Sequence, residues 1–517
     1  MSFLSSSIEV QRSLLNGNND ATLPFCGLSA SKPIDFQRAA AAAFASMSLN
    51  QYGKTLLLAK GFVSPLLELC IHDDLYIQRD AMFCVANFAG SQEFCQFVVK
   101  EGGIATIKTS ALSTKSDEVL RDAVRAMALF SVDVATKEIM ISQEIPKVLW
   151  KLAKSSDSET QRFVALAVCN LCMGTREQKE LLVKQDALRA LLFLLRFPDL
   201  EIERCASLSV AALALGSNMN KAEIIDFGFV RPLLETITYP DTRICHCALL
   251  ALNGIALGEQ AETKDIVLRE NGLASLFERI NTNEHESIRS GIYLLGTLAE
   301  STKSRDALMA MDCMRLIVEK ASLGPIEIKQ AAAYFLCIVS ECPEYHDEIM
   351  RVGGLESAVA LASLVDKECQ AFGSLALAFL AKNPTFQVSL VKMGAVRPLV
   401  TMIDANSDSK HYATLALVKL ADNFENHITI AGKYQTKYRY VALFIQYFVI
   451  SPPRCRSLIH STRTFYLSEQ GGIGALLSLG KSKISCANMQ YKASLTVGHL
   501  AKNAYSQIDS SSPASHG

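Results

Sequence analysis

The chain has 517 residues, half of them hydrophobic, with 51 basic against 52 acidic side chains and a net charge of −1. So even a balance leaves no bulk electrostatic footprint for nucleic acid, and the apolar content is enough to fill a large core. The 15 cysteines lie scattered through apolar segments and not in a spaced framework, which fits buried thiols in a reducing, cytoplasmic setting.

In chain order, Met1-Ser2-Phe3-Leu4 shows no basic region followed by an apolar run, so no signal peptide is expected. Ser2 stands where N-myristoylation needs glycine. Residues 1–29 read as a partly disordered segment. From residue 30 one pattern takes over: a large apolar residue followed at once by a small one. It runs from Met47-Ser48 and Phe88-Ala89 through Phe130-Ser131, Leu171-Cys172 and Leu213-Ala214 to Leu420-Ala421 and finally Leu500-Ala501. Successive pairs stand 40 to 43 residues apart except for the last step of 80, and a fixed period in that range marks a helical solenoid.

One repeat shows the elements. Gly61 precedes a short apolar helix, Val63 to Leu69, in which Pro65 falls early, where its missing N–H is tolerated. The polar turn His72-Asp73-Asp74 leads into a long helix from Tyr76 to Ala89 with apolar residues three and four apart. Gly90-Ser91 ends it, Phe94 to Val99 gives another amphipathic stretch, and Gly102 restarts the cycle. Columns recur: Gly61, Gly102, Gly228, Gly353, Gly394 and Gly471 open repeats, and Pro65, Pro146, Pro232 and Pro398 share a position. Small residues such as Ala81, Ala123, Ala206, Ala248, Gly291 and Gly373 recur seven places before the large member of each pair, where they let long helices pack closely.

This pattern resembles the armadillo repeat, as in beta-catenin, importin-alpha and the vacuolar armadillo adaptors. The residues that carry the likeness are Gly61 to Leu67 and Gly228 to Leu234, with the helix ends Cys84 to Ala89 and Ala167 to Cys172. The resemblance spans roughly residues 30 to 505 and implies an all-α, right-handed superhelical solenoid of about ten repeats; HEAT repeats are the structural runner-up. Repeats are expected over 30–431 and again over 469–505, with a disordered tail at 506–517. Between them, residues 432–468 are foreign to the period and rich in aromatic and basic residues, among them Tyr434, Tyr438, Phe444 and Tyr447. Two readings stay open: an inserted loop that binds a membrane or partner, or an intron retained in the gene model.

The resemblance implies that third helices line a concave groove read from positions four apart. The column that holds a ladder of Asn in importin-alpha-like chains keeps only Asn87 and Asn170 here. The accompanying Trp column reads Phe83, Arg125, Tyr293 and Tyr334, and the sole tryptophan, Trp150, lies elsewhere. That argues against a nuclear-import receptor and places the chain nearer the beta-catenin and vacuolar adaptor group. Eight residues before the ladder column runs an arginine stripe: Arg38, Arg79, Arg121, Arg162, Arg204 and Arg289. It reads either as a basic track for the carboxylates of an extended peptide, or as arginines paired with nearby acids such as Asp80, Asp122 or Glu203. On the first reading, charge reversal at Arg121 and Arg162 should weaken capture without unfolding.

Weaker motifs yield little. Cys169-x-x-Cys172 sits within a predicted helix and fits buried small positions, and Cys245-His246-Cys247 points three side chains in different directions. Gly480-Lys481-Ser482 ends like a phosphate loop, but Ala475 occupies the first glycine position. No catalytic constellation, metal site or cofactor site is expected. The reading is a non-catalytic scaffold that presents its groove to an acidic extended or helical protein segment. No small-molecule substrate is expected, and membrane contact only through a partner or residues 432–468. The alternative is a structural part of a cytoskeletal, ciliary or vacuole-membrane assembly.

Overall fold

The computed structural model describes residues 33–59, 61–90, 92–257, 261–404 and 409–426. The expected N-terminal segment, the insertion at 432–468, the last repeat at 469–505, the tail, Gly471 and the Gly480-Lys481-Ser482 motif lie outside them. Among the described residues every regular element is a helix. No single described helix is long and apolar enough to cross a membrane.

The helices come in threes, two short and one long, as in Gln92–Lys100, Gly103–Ser113 and Asp117–Phe130. The long third helices are α1 (Ile34–Met47), α2 (Leu75–Ala89), α3 (Asp117–Phe130), α4 (Ser158–Cys172), α5 (Leu200–Ala214), α6 (Thr242–Ala256), α7 (His285–Leu298), α8 (Ile326–Ser340), α9 (Lys367–Leu380) and α10 (Lys410–Leu420). The chain divides into two compact units, residues 1–279 and 280–517. Within the first, α1 to α6 each pack on the next; within the second, α7 to α10 do the same. Each unit is an all-α repeat stack.

The large-small pair marks the packing point. Phe88, Phe130, Leu171 and Leu213 are fully buried, as are Ser131, Cys172 and Ala214 beside them. Burying one such large side chain is worth about 1.5–3 kcal/mol. The small column lets the helices close up: a Cβ added to Gly373 would stand 2.8 Å from the backbone nitrogen of Ala362.

Three further columns hold the repeats together. The residue that opens each second helix adopts positive φ, whether it is Gly61, Gly102, Gly228, Gly353 and Gly394 or Glu144, Asp186, Asn271 and Asp312. The expected glycine column is thus a backbone requirement that four repeats meet without glycine. In several repeats the fourth residue of the third helix carries a donor that closes the preceding loop. Gln161 donates to the Ser155 carbonyl at 2.8 Å, Gln370 to the Leu364 carbonyl at 2.8 Å, and Cys245 to the Tyr239 carbonyl at 3.1 Å. Finally, in some repeats a residue early in the first helical segment supplies a donor to a third-helix C-terminus, where unpaired carbonyls concentrate negative charge. Lys54 reaches the Asn87 carbonyl at 2.7 Å, Lys221 the Leu257 carbonyl, His346 the Ser340 carbonyl at 2.9 Å and Gln387 the Ala381 carbonyl at 2.9 Å.

Candidate functional site

In the first unit, α1, α2 and α3 together line an open cleft of about 510 Å³ whose walls include Ser46, Leu49, Arg79, Asp80, Phe83, Glu118 and Arg121. Arg79 and Phe83 share a face of α2 because four residues make about one helical turn. Arg79 donates from Nε and Nη2 to Asp80 Oδ1 at 3.0 and 2.9 Å, and its Nη1 lies 3.9 Å from Glu118. Phe83 is covered by a neighbour: the Arg125 guanidinium stands 5.4 Å from its ring centroid. Arg125 also donates to Asn87 Oδ1 at 3.3 Å and pairs with Asp122 at 3.0 Å. Asn87 donates from Nδ2 to Ser48 Oγ at 2.9 Å. The aromatic-Asn pair of α2 is therefore engaged by a cation of the next repeat. Burial pushes the Asp122 carboxyl above its usual range, against the pull of Arg125 and Arg121.

The arginine stripe has a partner that a linear reading misses. Arg38 Nη2 donates to Asp74 Oδ2 at 2.6 Å, Arg121 grips Asp157 through Nε and Nη2 at 3.1 and 2.9 Å, and Arg162 grips Asp199 at 3.0 and 2.9 Å. Each of these aspartates is the N-cap of the following third helix. Asp74 Oδ1 accepts from the amides of Tyr76 and Ile77, Asp199 Oδ1 from those of Glu201 and Ile202, and Asp157 Oδ2 from that of Thr160. One carboxylate thus caps its own helix and receives the guanidinium of the repeat before it. Gln330 makes the same connection to Asp366, the N-cap of α9, at 3.0 Å. Hydrogen bonding from Arg121, helped by Thr160, holds the Asp157 carboxyl down to about 2.

Of the acids proposed for the stripe, only Asp80 takes its expected arginine. Arg121 turns to Asp157 and not to Asp122. Glu203 accepts from Thr236 Oγ1 at 2.7 Å, while Arg204 pairs with Glu201 at 2.7 Å. Charge reversal at Arg121 or Arg162 would therefore also break an ion pair between repeats, beside any effect on capture. Arg79 differs because the next N-cap is Ser116 and not an aspartate, which leaves Arg79 facing the cleft.

The remaining candidates do not join that cleft. Asn170 donates to the Ala128 carbonyl of α3 at 3.0 Å. In the second unit, the Tyr293 and Tyr334 rings lie 5.7 Å apart, and Phe372, which the column reading passed over, stands 5.3 Å from Tyr334. Arg289 lies 5.9 Å over Tyr293. The Tyr293 hydroxyl donates to Glu368 at 3.1 Å, so a side chain of α7 reaches across α8 to α9. Phe372 sits one turn before the column, on the same helix face, which is why a fixed offset missed it. Among the described residues no group of three or more His, Cys, Asp or Glu side chains could hold a metal ion.

The helix triplets define an all-helical solenoid with an armadillo-like repeat. The chain is similar in structure to an engineered protein, with a TM-score of 0.70 at 24% identity over 77% of this chain and 98% of that one. A second engineered protein aligns over 46% of this chain and 98% of its own, with a TM-score of 0.43 at 24% identity. A designed armadillo repeat protein, solved in complex with the peptide (KR)4, aligns over 45% of this chain and 98% of its own, with a TM-score of 0.42 at 22% identity. The first likeness concerns the fold alone. No family model and no curated protein matches the chain in sequence.

Proposed function

We propose that the chain is a non-catalytic scaffold that captures an extended protein segment in the α1–α3 cleft. The observation that carries this reading is the cleft itself, where three successive repeats set an arginine outside the inter-repeat clamps, Arg79, beside a half-buried aromatic ring, Phe83. A segment with an acidic residue next to an apolar one fits: its carboxylate replaces Asp80 as the partner of Arg79, and its apolar side chain meets Phe83 and the exposed Leu49. Asp80, Glu118 and Asp122 on the same walls disfavour a uniformly acidic stretch. The chain is grouped on this reading with the beta-catenin and vacuolar adaptor type, because its Asn positions serve neighbouring repeats and not a ligand.

The test is selection of peptides from a random display library by the full chain, repeated with Arg79→Glu. The expected result is an enriched acidic-apolar motif whose binding falls about tenfold or more in the variant, the scale of one lost charge-assisted hydrogen bond. No enriched motif, or one indifferent to Arg79→Glu, would overturn the reading.

A second reading, a fixed part of a larger assembly, is favoured by one observation. The residue after the large-small pair is apolar and exposed in four successive repeats of the first unit, at Val132, Met173, Leu215 and Leu257. A row of this kind suits a permanent protein contact. Unchanged incorporation of Val132→Glu with Leu215→Glu into sedimenting complexes would count against it.

A further inference from the structure

The second helices of the first unit carry a surface that the cleft does not involve. On Ile145–Leu152 and the turn after it, Lys147, Trp150, Lys151 and Lys154 recur at helical spacing and share a face. On Ala187–Leu195 and its C-terminal end, Arg189, Phe193, Arg196 and Phe197 do the same. The two helices pack on each other and their rings meet. Trp150 and Phe193 stand 6.3 Å apart, edge to face, and Phe193 and Phe197 also lie 6.3 Å apart. Phe193 is 37% exposed, and Trp150 and Phe197 are half-buried. The Lys154 ammonium sits 4.2 Å from the Trp150 ring centroid.

The charge around this ridge is one-sided. Residues 144–154 and 186–197 hold five cations against two carboxylates, in a chain whose net charge is −1. Glu144 pairs with Lys147 and Asp186 with Arg189. Lys151, Lys154 and Arg196 are exposed and make no ion pair among the described residues. The surplus ends at the following second helix, Val230–Thr236, where Arg231 pairs with Glu235.

We propose that this face docks on an anionic lipid surface, its aromatic ridge entering the headgroup layer while Lys151, Lys154 and Arg196 meet lipid phosphates.

The chemistry of the patch selects that occupant. A bilayer presents anionic phosphates in a plane over an apolar layer, and here cations flank a ridge of rings spread over two adjacent helices. Tryptophan favours the boundary between those layers, and lysine stems lie along apolar surface while their ammonium groups stay in water. An acidic peptide would answer the cations along one line and leave the ring edges wet. Each cation near an anionic leaflet multiplies partition by roughly five, so the three without a carboxylate supply on the order of a hundredfold. Sequence reading had allowed membrane contact only through a partner or residues 432–468; this surface is a separate route.

Trp150 is the sole tryptophan of the chain, so its fluorescence reports on the patch without a label. The full chain is mixed with phosphatidylcholine vesicles with and without phosphatidylserine, and binding is read by co-sedimentation and by Trp150 emission. The expected result is a blue shift and co-sedimentation with the anionic vesicles alone, both reversed by high salt. Brominated phosphatidylcholine within those vesicles should quench Trp150. The triple variant Lys151→Glu, Lys154→Glu, Arg196→Glu should lower partition by about a hundredfold or more. Absence of binding, equal binding to both vesicles, or co-sedimentation without quenching of Trp150 would overturn the proposal. So would a blue shift with polyglutamate and none with vesicles, which would assign the patch to an acidic protein segment. Quenching in the unaltered chain decides the matter even if the triple variant folds poorly.

Discussion

Two single residues show how far local chemistry decides stability in this chain. Gly102 has φ of 85°, and a Cβ built there would meet nothing within 4 Å. Steric reasoning alone would call Gly102→Ala harmless. The left-handed backbone nonetheless costs an ordinary residue roughly 1–2 kcal/mol, and we expect urea unfolding to show a loss of that size. Glu203 is the second case. It is itself buried and occupies the column where Gln161 and Gln370 donate to carbonyls, and an ionised carboxylate has no proton to donate. Burial raises its titration above the ordinary glutamate value. A raised carboxylate contributes stability below its unfolded pKa, about 4.3, and loses it as pH rises through the folded value. Glu203→Gln should therefore raise stability near pH 7 by about 1 kcal/mol and make little difference near pH 4, read from melts across that window.

Between elements, the repeated device is a shared aspartate. Asp157 caps α4 through Thr160 and receives Arg121 from α3. Asp157→Ala should cost about 1–2 kcal/mol, the ordinary value of a lost N-cap, and more than Arg121→Ala, which leaves the cap intact. A double-mutant cycle should return a coupling near 1 kcal/mol; additivity would mean that the two contacts are independent. Because Asp157 titrates at about 2, this contribution persists above the ordinary aspartate range and is lost only as pH falls below about 4 toward 2. Both halves of the clamp stood in the sequence. The stripe was found because arginine recurs at the repeat period, but its partner lies 36 or 37 residues on, beyond any helix-face reading. The donor column of the first helices was equally legible, since Lys137, Lys179 and Lys221 recur every 42 residues. Attention to the groove face hid it, for Lys221 acts at the end of a third helix and not along it.

At the scale of the molecule, period and pair carried nearly all of the fold, because a repeat that cannot bury its own apolar face must stack on another. The site was less legible. A column offset places residues on a face, yet it cannot say whether a side chain turns to its own helix or to the next repeat, as Arg79 and Arg121 show from identical positions. The same one-dimensional logic governs how damage spreads. Phe130 is fully buried at the end of α3, and α3 packs directly on α2 and α4. Phe130→Ala removes most of a buried ring and should cost about 3–5 kcal/mol. In a globular core that loss would be felt throughout; in a stack each repeat touches only its neighbours. Amide hydrogen exchange should therefore quicken most in α3, clearly in α2 and α4, and least in α6. Uniform loss of protection from α1 to α6 would show that the first unit unfolds as one cooperative block.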